Sequence, residues 1–306
     1  MHSFEFIPAK EENLALEKHQ DKPIEQIREE LDGSMSSIAE QVNSTFQVKD
    51  FIDNKCAINI ERYGLSKDEK KQYYNDIKAR QRYFYSRDHR SIPIKDIKQP
   101  DLDRWLTAQE HRKSELVEKL TTLILHKGLG PDYIVVRTCK GDDYNGIDNI
   151  IVHKPSGTVV CAFDDFHSGF SDDSEDKKLN YIKGASKNGG VPIKYGFTVK
   201  EGRLVTKSFN NVPIFYLAFN VTELDEALQN IDTKDPHSLS ASDEPYYDKI
   251  IEAFSRQISI IEEQAVLGKY PSKIFMQNIQ KFKALLPSMK RIDTNFEQEG
   301  SMPLAA

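Results

Sequence analysis

Three aspartates near the middle of the chain have the chemistry to bind a divalent cation. Asp148 precedes an apolar segment at residues 149–153, and Asp164 and Asp165 follow a second apolar segment at residues 158–163. The short connection between the segments contains Pro and Gly, which predicts an antiparallel hairpin with all three carboxyl groups at one end. Carboxylate oxygens favour Mg²⁺ or Mn²⁺ over zinc. The pattern therefore predicts a magnesium or manganese site.

Strand periodicity separates the two aspartates that end the second segment. Residues two apart on a strand point to the same face, so Asp165 shares a face with His167, whereas Asp164 points the other way. We therefore select Asp148 and Asp165 as the metal ligands and His167 as a neighbouring base. The alternative interpretation is that all three acids are solvated turn residues, because Asp is frequent at strand ends.

The elements predicted around these residues form a helix followed by a three-stranded meander. A helix over residues 100–127 has an apolar stripe and ends at the breaker cluster of residues 128–131. The stripe consists of Leu116, Leu120, Leu123 and Ile124. Strands rich in Val, Ile and aromatic residues follow at residues 133–138, 147–153 and 158–163.

The predicted core continues to residue 231. A helix is expected at residues 176–187, followed by a hairpin with strands at 193–200 and 203–209. The almost uniformly apolar residues 212–219 predict a strand buried on both faces, and residues 222–231 predict a helix.

Helical regions flank this core on both sides. A capping box at Ser66 and Glu69 predicts a helix that runs to about Ser86. Two amphipathic helices are predicted near the C-terminus, at residues 246–266 and 272–286. Their apolar stripes fit either docking on their own domain or homo-oligomerisation. The predicted organisation is a helical N-terminal region (1–99), an α/β core (100–231), a linker (232–243), a helical hairpin (244–290) and a mobile tail (291–306).

The order of elements from 100 to 231 resembles the core of the PD-(D/E)XK nuclease superfamily. That resemblance implies a restriction-endonuclease-like α/β fold, with a mixed sheet flanked by helices. In the superfamily, the first acid and the acid of the tripeptide bind Mg²⁺, a lysine positions or activates the attacking water, and a helical glutamate often assists. Asp148 matches the first acid, and Asp165 begins the tripeptide, in which His167 replaces the lysine. The helical glutamate is Glu115 or Glu118.

The histidine at position 167 departs from the family pattern. A neutral His supplies a base or a metal ligand rather than a positive charge. Lysines on the following predicted helix, Lys177, Lys178 or Lys183, would restore that charge. The resemblance implies metal-dependent phosphodiester hydrolysis of nucleic acid, and the alternative is a non-catalytic binding or interaction module that kept the fold without the motif lysine.

A second hypothesis concerns nucleic-acid contacts. Residues 70–90 mix basic side chains with aromatic ones, and the predicted contacts to DNA or RNA are Arg80, Arg82, Arg87 and Lys183. The alternative is an ordinary amphipathic helix, because Tyr73, Ile77 and Phe84 recur at helical spacing.

Composition and short motifs limit which other functional classes of protein the sequence fits. The net charge is -6 and the isoelectric point is near 5.8, so any contact with nucleic acid requires a local basic face. Three cysteines without metal-ligand spacing predict buried thiols in a reducing compartment. No run of roughly 18 apolar residues predicts a membrane span, and we expect a cytoplasmic protein. Serine hydrolase, zincin and dinucleotide-binding motifs are absent from the sequence.

Overall fold

The computed structural model describes residues 22–89, 92–110, 112–168, 180, 184, 185, 187–267 and 273–289, without the side chains of residues 166–168. The described helices are α1 (Ile24–Thr45), α2 (Lys67–Asp88), α3 (Gln99–Glu110), α4 (Lys113–Leu129), α5 (Lys140–Asp143), α6 (Val221–Asn230), α7 (Glu244–Val266) and α8 (Lys273–Met289). The strands are β1 (Tyr133–Arg137), β2 (Asn149–His153), β3 (Thr158–Ser168), β4 (Val191–Lys200), β5 (Arg203–Val212) and β6 (Ile214–Asn220).

The fold is mixed α/β, built on a four-stranded sheet of order β1-β2-β3-β6. The first three strands form the predicted antiparallel meander, which is confirmed, and β6 lies parallel to β3. Gly157 adopts a φ of 63° in the β2–β3 turn and donates its N–H to the Lys154 carbonyl oxygen at 3.1 Å. The turn thus brings the start of β2 beside the middle of β3.

Strand β3 is longer than the sequence predicts. The prediction ended this strand at residue 163, whereas β3 continues to Ser168 because β6 pairs with its second half, from Ala162 opposite Ile214 to Ser168 opposite Asn220. Asp164 and Asp165 therefore lie inside a strand and not in a turn. The pairing partner is about 50 residues away in sequence, so local propensity did not show it.

The single helix predicted over residues 100–127 is wrong, because the chain forms two helices there. Arg112 has an extended backbone (φ −74°, ψ 155°) at the start of α4. Helix α3 packs with the C-terminal half of α2 in a small separate cluster, whose buried residues are Tyr85, Ile97 and Leu102. Helix α4 instead packs in the main core. One straight helix would not contact both the small cluster and the main core.

The main core lies between the sheet and helices α1, α4, α7 and α8. Phe215 of β6 contacts Phe254 of α7 and Phe282 of α8, with ring centroids 5.4 and 5.0 Å apart. The apolar faces of both C-terminal helices are thus covered by their own sheet. For the helix predicted at 272–286, the sequence assigns Ile274, Ile279, Phe282 and Leu286 to the apolar stripe; this is wrong at Ile274, which is 59% exposed, because Phe275 is the buried residue of that turn.

The segment predicted as a linker, residues 232–243, is bound to the core. Its last residue, Asp243, is completely buried and accepts a hydrogen bond from Lys127 Nζ of α4 at 2.7 Å.

The β4–β5 hairpin forms a separate two-stranded sheet, and its predicted turn at Glu201 and Gly202 is confirmed, with both residues at positive φ.

Each edge of the four-stranded sheet is hydrogen-bonded to another part of the chain at one position. At the β1 edge, the Arg137 N–H donates to the Cys56 carbonyl oxygen at 2.8 Å, and the Ile58 N–H donates to the Arg137 carbonyl oxygen at 3.1 Å. At the β6 edge, the Gln257 side chain accepts from the Tyr216 N–H at 2.9 Å and donates to the Tyr216 carbonyl oxygen at 2.7 Å.

Several sequence predictions fall outside the described part of the chain. These are the helices predicted before residue 22, most of the helix at 176–187 and the tail from residue 291. The capping box of α2 is confirmed, and all three cysteines are buried free thiols, as predicted. Among the helices that the structure describes, none combines the length and apolar character needed to cross a membrane.

Candidate active site

Asp148 and Asp165 are brought together by the β2–β3 pairing. Asp148 stands immediately before β2, and its Oδ2 accepts a hydrogen bond from the Asp165 backbone N–H at 2.8 Å. Both residues are buried, with 8% and 7% of their surfaces exposed. The hairpin therefore places the two predicted ligands at one end of the sheet.

The Asp165 side chain points toward helix α4. Asn149 Nδ2 donates to Asp165 Oδ2 at 2.7 Å, and Asn149 in turn accepts from the Thr122 hydroxyl at 2.7 Å. Asp165 Oδ1 is buried and has no hydrogen-bond partner among the described residues, although the Thr121 hydroxyl is near enough to lower its pKa. Within the described residues, the Thr121 hydroxyl is therefore the one donor close to this buried carboxylate oxygen.

Asp164 has different surroundings from Asp165, as the alternation along a strand predicts. It lines a cavity of about 590 Å³ together with Asp148, Tyr144 and Gly146. We selected Asp165 from its shared face with His167, but the aspartate of the pair that lines the open cavity beside Asp148 is Asp164.

Arg137 links the two helical glutamates proposed from the sequence. It lies on β1 and pairs with Glu115 Oε1 at 2.8 Å and with Glu118 Oε2. Only 6% of the Arg137 side chain is exposed. Glu118 is the glutamate whose charge raises the pKa of both Asp148 and Asp165, so it belongs to the same electrostatic cluster.

The acid cluster, defined as Glu118, Asp148 and Asp165, lacks full charge compensation. Burial raises the pKa of Asp148 and of Asp165 well above their usual range, and the charge of Glu118 raises both further. Burial also raises the pKa of Glu118, despite the opposing effect of Arg137. The three carboxyl groups thus favour protonation unless a cation joins them.

Lys140 is a component of the site that sequence reasoning missed. It begins the short helix α5, and its Nζ donates to Asp143 Oδ2 at 2.7 Å. Desolvation opposes the charge of Lys140, but Asp143, Glu118 and Glu115 raise its pKa. The signal available was a lysine in the β1–β2 connection, eight residues before Asp148.

Two cavities adjoin the acid cluster. Their volumes are about 230 and 590 Å³, and six residues line both: Glu110, Glu115, Glu118, Lys140, Asp143 and Asp148. The cluster is therefore reachable from outside at Asp148 and Glu118, while Asp165 lies behind them.

The remaining predicted site residues are distributed differently. Position 167 lies in β3 opposite Phe219, but the His167 side chain and all of Lys183 lie outside the described residues. Arg80 donates to the Tyr144 carbonyl oxygen at 2.7 Å and Arg82 donates to Gln99 at 3.3 Å, so both bind their own protein. Arg87 lines the larger cavity.

Within the described residues, no group of three His, Cys, Asp or Glu side chains is arranged to hold a metal ion. Comparisons of the chain with protein-family models, with curated proteins and with solved structures found no match.

Proposed function

We propose that the chain is a metal-dependent nuclease with a restriction-endonuclease-like core. The observation that supports this best is the acid cluster, in which the buried Asp148 and Asp165 and the partly buried Glu118 of α4, all with raised pKa values, meet beside an open cavity. Perturbed acids of this kind gather at functional sites more often than elsewhere.

The sheet topology adds support to the proposed fold. Helix α4, the antiparallel meander and a later strand parallel to β3 follow one another in the order that the resemblance to the PD-(D/E)XK superfamily implies. Because many functions share one fold, the proposed activity rests on the carboxyl groups and not on the topology.

The carboxyl groups fit a hard divalent cation such as Mg²⁺ or Mn²⁺. All donors are oxygen atoms, and Asp165 Oδ1 is a buried oxygen without a partner among the described residues. Mg²⁺ is commonly held by one or two carboxylates together with water and substrate phosphates, so Asp148 and Asp165 suffice as protein ligands. A bound cation would polarise the phosphoryl group and lower the pKa of a water molecule.

The side chains around these ligands have separate proposed roles. Glu118 has a raised pKa and is suited to accept a proton, and His167 is the second proposed base. Lys140 lines the cavity beside Asp148, and its proposed role is to supply the positive charge that the motif lysine provides in the family, next to the attacking water.

One observation favours the alternative of a non-catalytic interaction module. Arg137 already pairs with Glu115 and Glu118, so a resident cation occupies part of the carboxylate set. A protein that had lost the chemistry would keep this pairing for stability alone.

Cleavage assays separate the two functions. Labelled single- and double-stranded DNA and RNA are incubated with Mg²⁺ or Mn²⁺ and the wild type, Asp148→Asn or Asp165→Asn. We expect each substitution to reduce cleavage by about 100- to 1,000-fold. Asp225→Asn, which removes an exposed carboxylate paired with Lys113, is the matched control and should retain full activity. Absence of cleavage by the wild type, together with absence of Mn²⁺ binding in calorimetry, would reject the nuclease in favour of the interaction module.

A further inference from the structure

The larger cavity beside the acid cluster extends away from it, between helices α2 and α3. Its volume of about 590 Å³ is within the usual range of about 300 to 1,000 Å³ for small-molecule sites. Its lining includes Asp148 and Glu118, and also Phe84 of α2 and Trp105 and Gln109 of α3. A ligand whose reacting group lay at the carboxylates would thus place its neighbouring part between the two helices.

Part of the cavity wall is aromatic. Phe84 of α2 and Tyr144 lie with ring centroids 5.6 Å apart at 50°, and the Arg87 guanidinium lies 4.8 Å from the Phe84 centroid. Trp105 of α3 is partly buried and contacts Tyr85 edge-on at 5.8 Å. Aromatic rings and guanidinium planes are the surfaces on which proteins stack unpaired bases.

Two hydrogen-bond donors in this wall have no acceptor among the described residues. Trp105 Nε1 and Gln109 Nε2 are both buried and bond to no acceptor within the described residues. A buried donor without an acceptor destabilises the protein, so such groups need a specific explanation. The edges of nucleobases carry the acceptor atoms that would satisfy these donors.

The rim of the cavity carries cations that are only weakly paired. Arg87 and Arg112 contact the same carboxylate, that of Asp88, at 3.3 and 3.5 Å. The arginine side chains are 60% and 52% exposed, and ion pairs this exposed contribute little stability. A phosphate group can therefore compete with Asp88 for both arginines.

From these contacts we infer that the cavity binds one unpaired nucleotide of a nucleic-acid strand, adjacent to the phosphate that lies at the acid cluster. The base stacks against Phe84 and Trp105, Gln109 donates to its edge, and Arg87 and Arg112 bind the backbone. A base inside a duplex is already stacked and paired, so it does not enter without being flipped out. The choice of ligand rests on the proposed nuclease function, and the consequence is a preference for single strands.

Trp105 provides the measurement, because it is the only tryptophan of the chain. Its fluorescence is titrated in EDTA with short single-stranded DNA, single-stranded RNA, and a blunt duplex of the same sequence. We expect either single strand to quench the emission and to bind at least about tenfold more tightly than the duplex. The DNA and RNA arms identify which sugar the site prefers.

Variants test the individual contacts. Phe84→Ala should weaken single-strand binding by about 5- to 100-fold through lost stacking, and Gln109→Leu by about 3- to 10-fold through one lost hydrogen bond. Arg87→Ala should also weaken binding. Its matched control is Arg104→Ala on α3, which removes the same charge from a side chain that is 80% exposed and pairs with Asp101, and should leave the affinity unchanged.

Equal quenching by duplex and single strand, an unchanged Trp105 emission at saturating single strand, or equal losses in the Arg87 and Arg104 variants would overturn the inference. The titration contains no divalent cation and measures no cleavage. A cleaving enzyme without single-strand quenching would therefore refute only the nucleotide site. An inactive protein that still binds single strands through Trp105 would refute only the nuclease.

Discussion

The two ends of helix α4 bury carboxylates in opposite ways. Near the C-terminal end, Asp243 accepts hydrogen bonds from Lys127 Nζ at 2.7 Å and from the backbone N–H groups of Asp232 and Ser240, each at 3.0 Å. Burial works against the charge of Asp243, yet these donors lower its pKa. Toward the N-terminal end, Glu118 belongs to the acid cluster, in which burial raises the pKa of all three carboxyl groups.

The negative charge of Asp243 is stabilised by the fold itself, whereas the acid cluster needs a bound cation to stabilise its negative charge. Asp243 has a cation and two backbone donors, so the chain itself satisfies it. The acid cluster has Arg137 on one side only and keeps an unpaired oxygen on Asp165 within the described residues. Natural proteins leave buried polar groups unsatisfied rarely, and most often where function requires it.

The largest expected effect is the loss of stability when the buried pair of Lys127 and Asp243 is broken. Lys127→Met leaves the Asp243 carboxylate buried without its cation, and we expect the free energy of unfolding to fall by about 3 to 5 kcal/mol. Urea denaturation monitored by circular dichroism measures the loss. Lys113→Met on the same helix removes an exposed pair with Asp225 and should cost about 1 kcal/mol or less. Similar losses in the two variants would show that the buried pair has no special role.

A substitution in the acid cluster should change stability in the opposite direction. Asp148→Asn keeps an oxygen to accept the Asp165 N–H but removes a carboxylate whose pKa is raised by burial. Such a group loses stability as pH rises through its folded pKa, so in EDTA at pH 8 we expect a gain of about 1 to 3 kcal/mol. The gain should shrink toward pH 5. A destabilised Asp148→Asn protein at pH 8 would contradict the assignment of an uncompensated charge.

The smallest expected effect concerns His126, which precedes Lys127 in sequence. Its contribution to stability changes with pH in the opposite direction to that of Asp148. Burial, followed by the neighbouring His237 and Lys154, lowers the pKa of His126 to about 4. Its contribution to stability is complete above the ordinary pKa of about 6.5 and is lost as pH falls toward 4. We expect the wild type to lose about 1 kcal/mol more than His126→Gln between pH 7 and pH 5, measured by urea denaturation. Equal losses would remove His126 as the cause.

The strands and helix caps of this fold were predictable because local patterns determine them. Ser66 and Glu69 form their capping box whatever surrounds them, and the glycine at 157 allows the hairpin turn. The second half of β3 was not predictable, since it is extended by pairing with β6 and not by its own composition. The break between α3 and α4 likewise depends on which of two hydrophobic clusters each helix joins.

The candidate site likewise has some features that the sequence predicts and others that depend on tertiary packing. The proximity of Asp148 and Asp165 followed from the turn alone. The pairing of Arg137 with both helical glutamates and the position of Lys140 did not, because they depend on how α4 and α5 pack against the sheet. Sequence periodicity also gave no reason to expect Asp165 to face Asn149 while Asp164 lines the cavity.

The covered edges of the sheet bear on how the protein behaves when it is concentrated. An open strand edge invites the edge of another molecule and begins aggregation. Here the Gln257 side-chain amide forms the hydrogen bonds with the Tyr216 backbone that a neighbouring strand would form. The backbone groups of Cys56 and Ile58 form the corresponding hydrogen bonds with the Arg137 backbone. Pairing with the sheet edge of another molecule is therefore blocked at both of these positions.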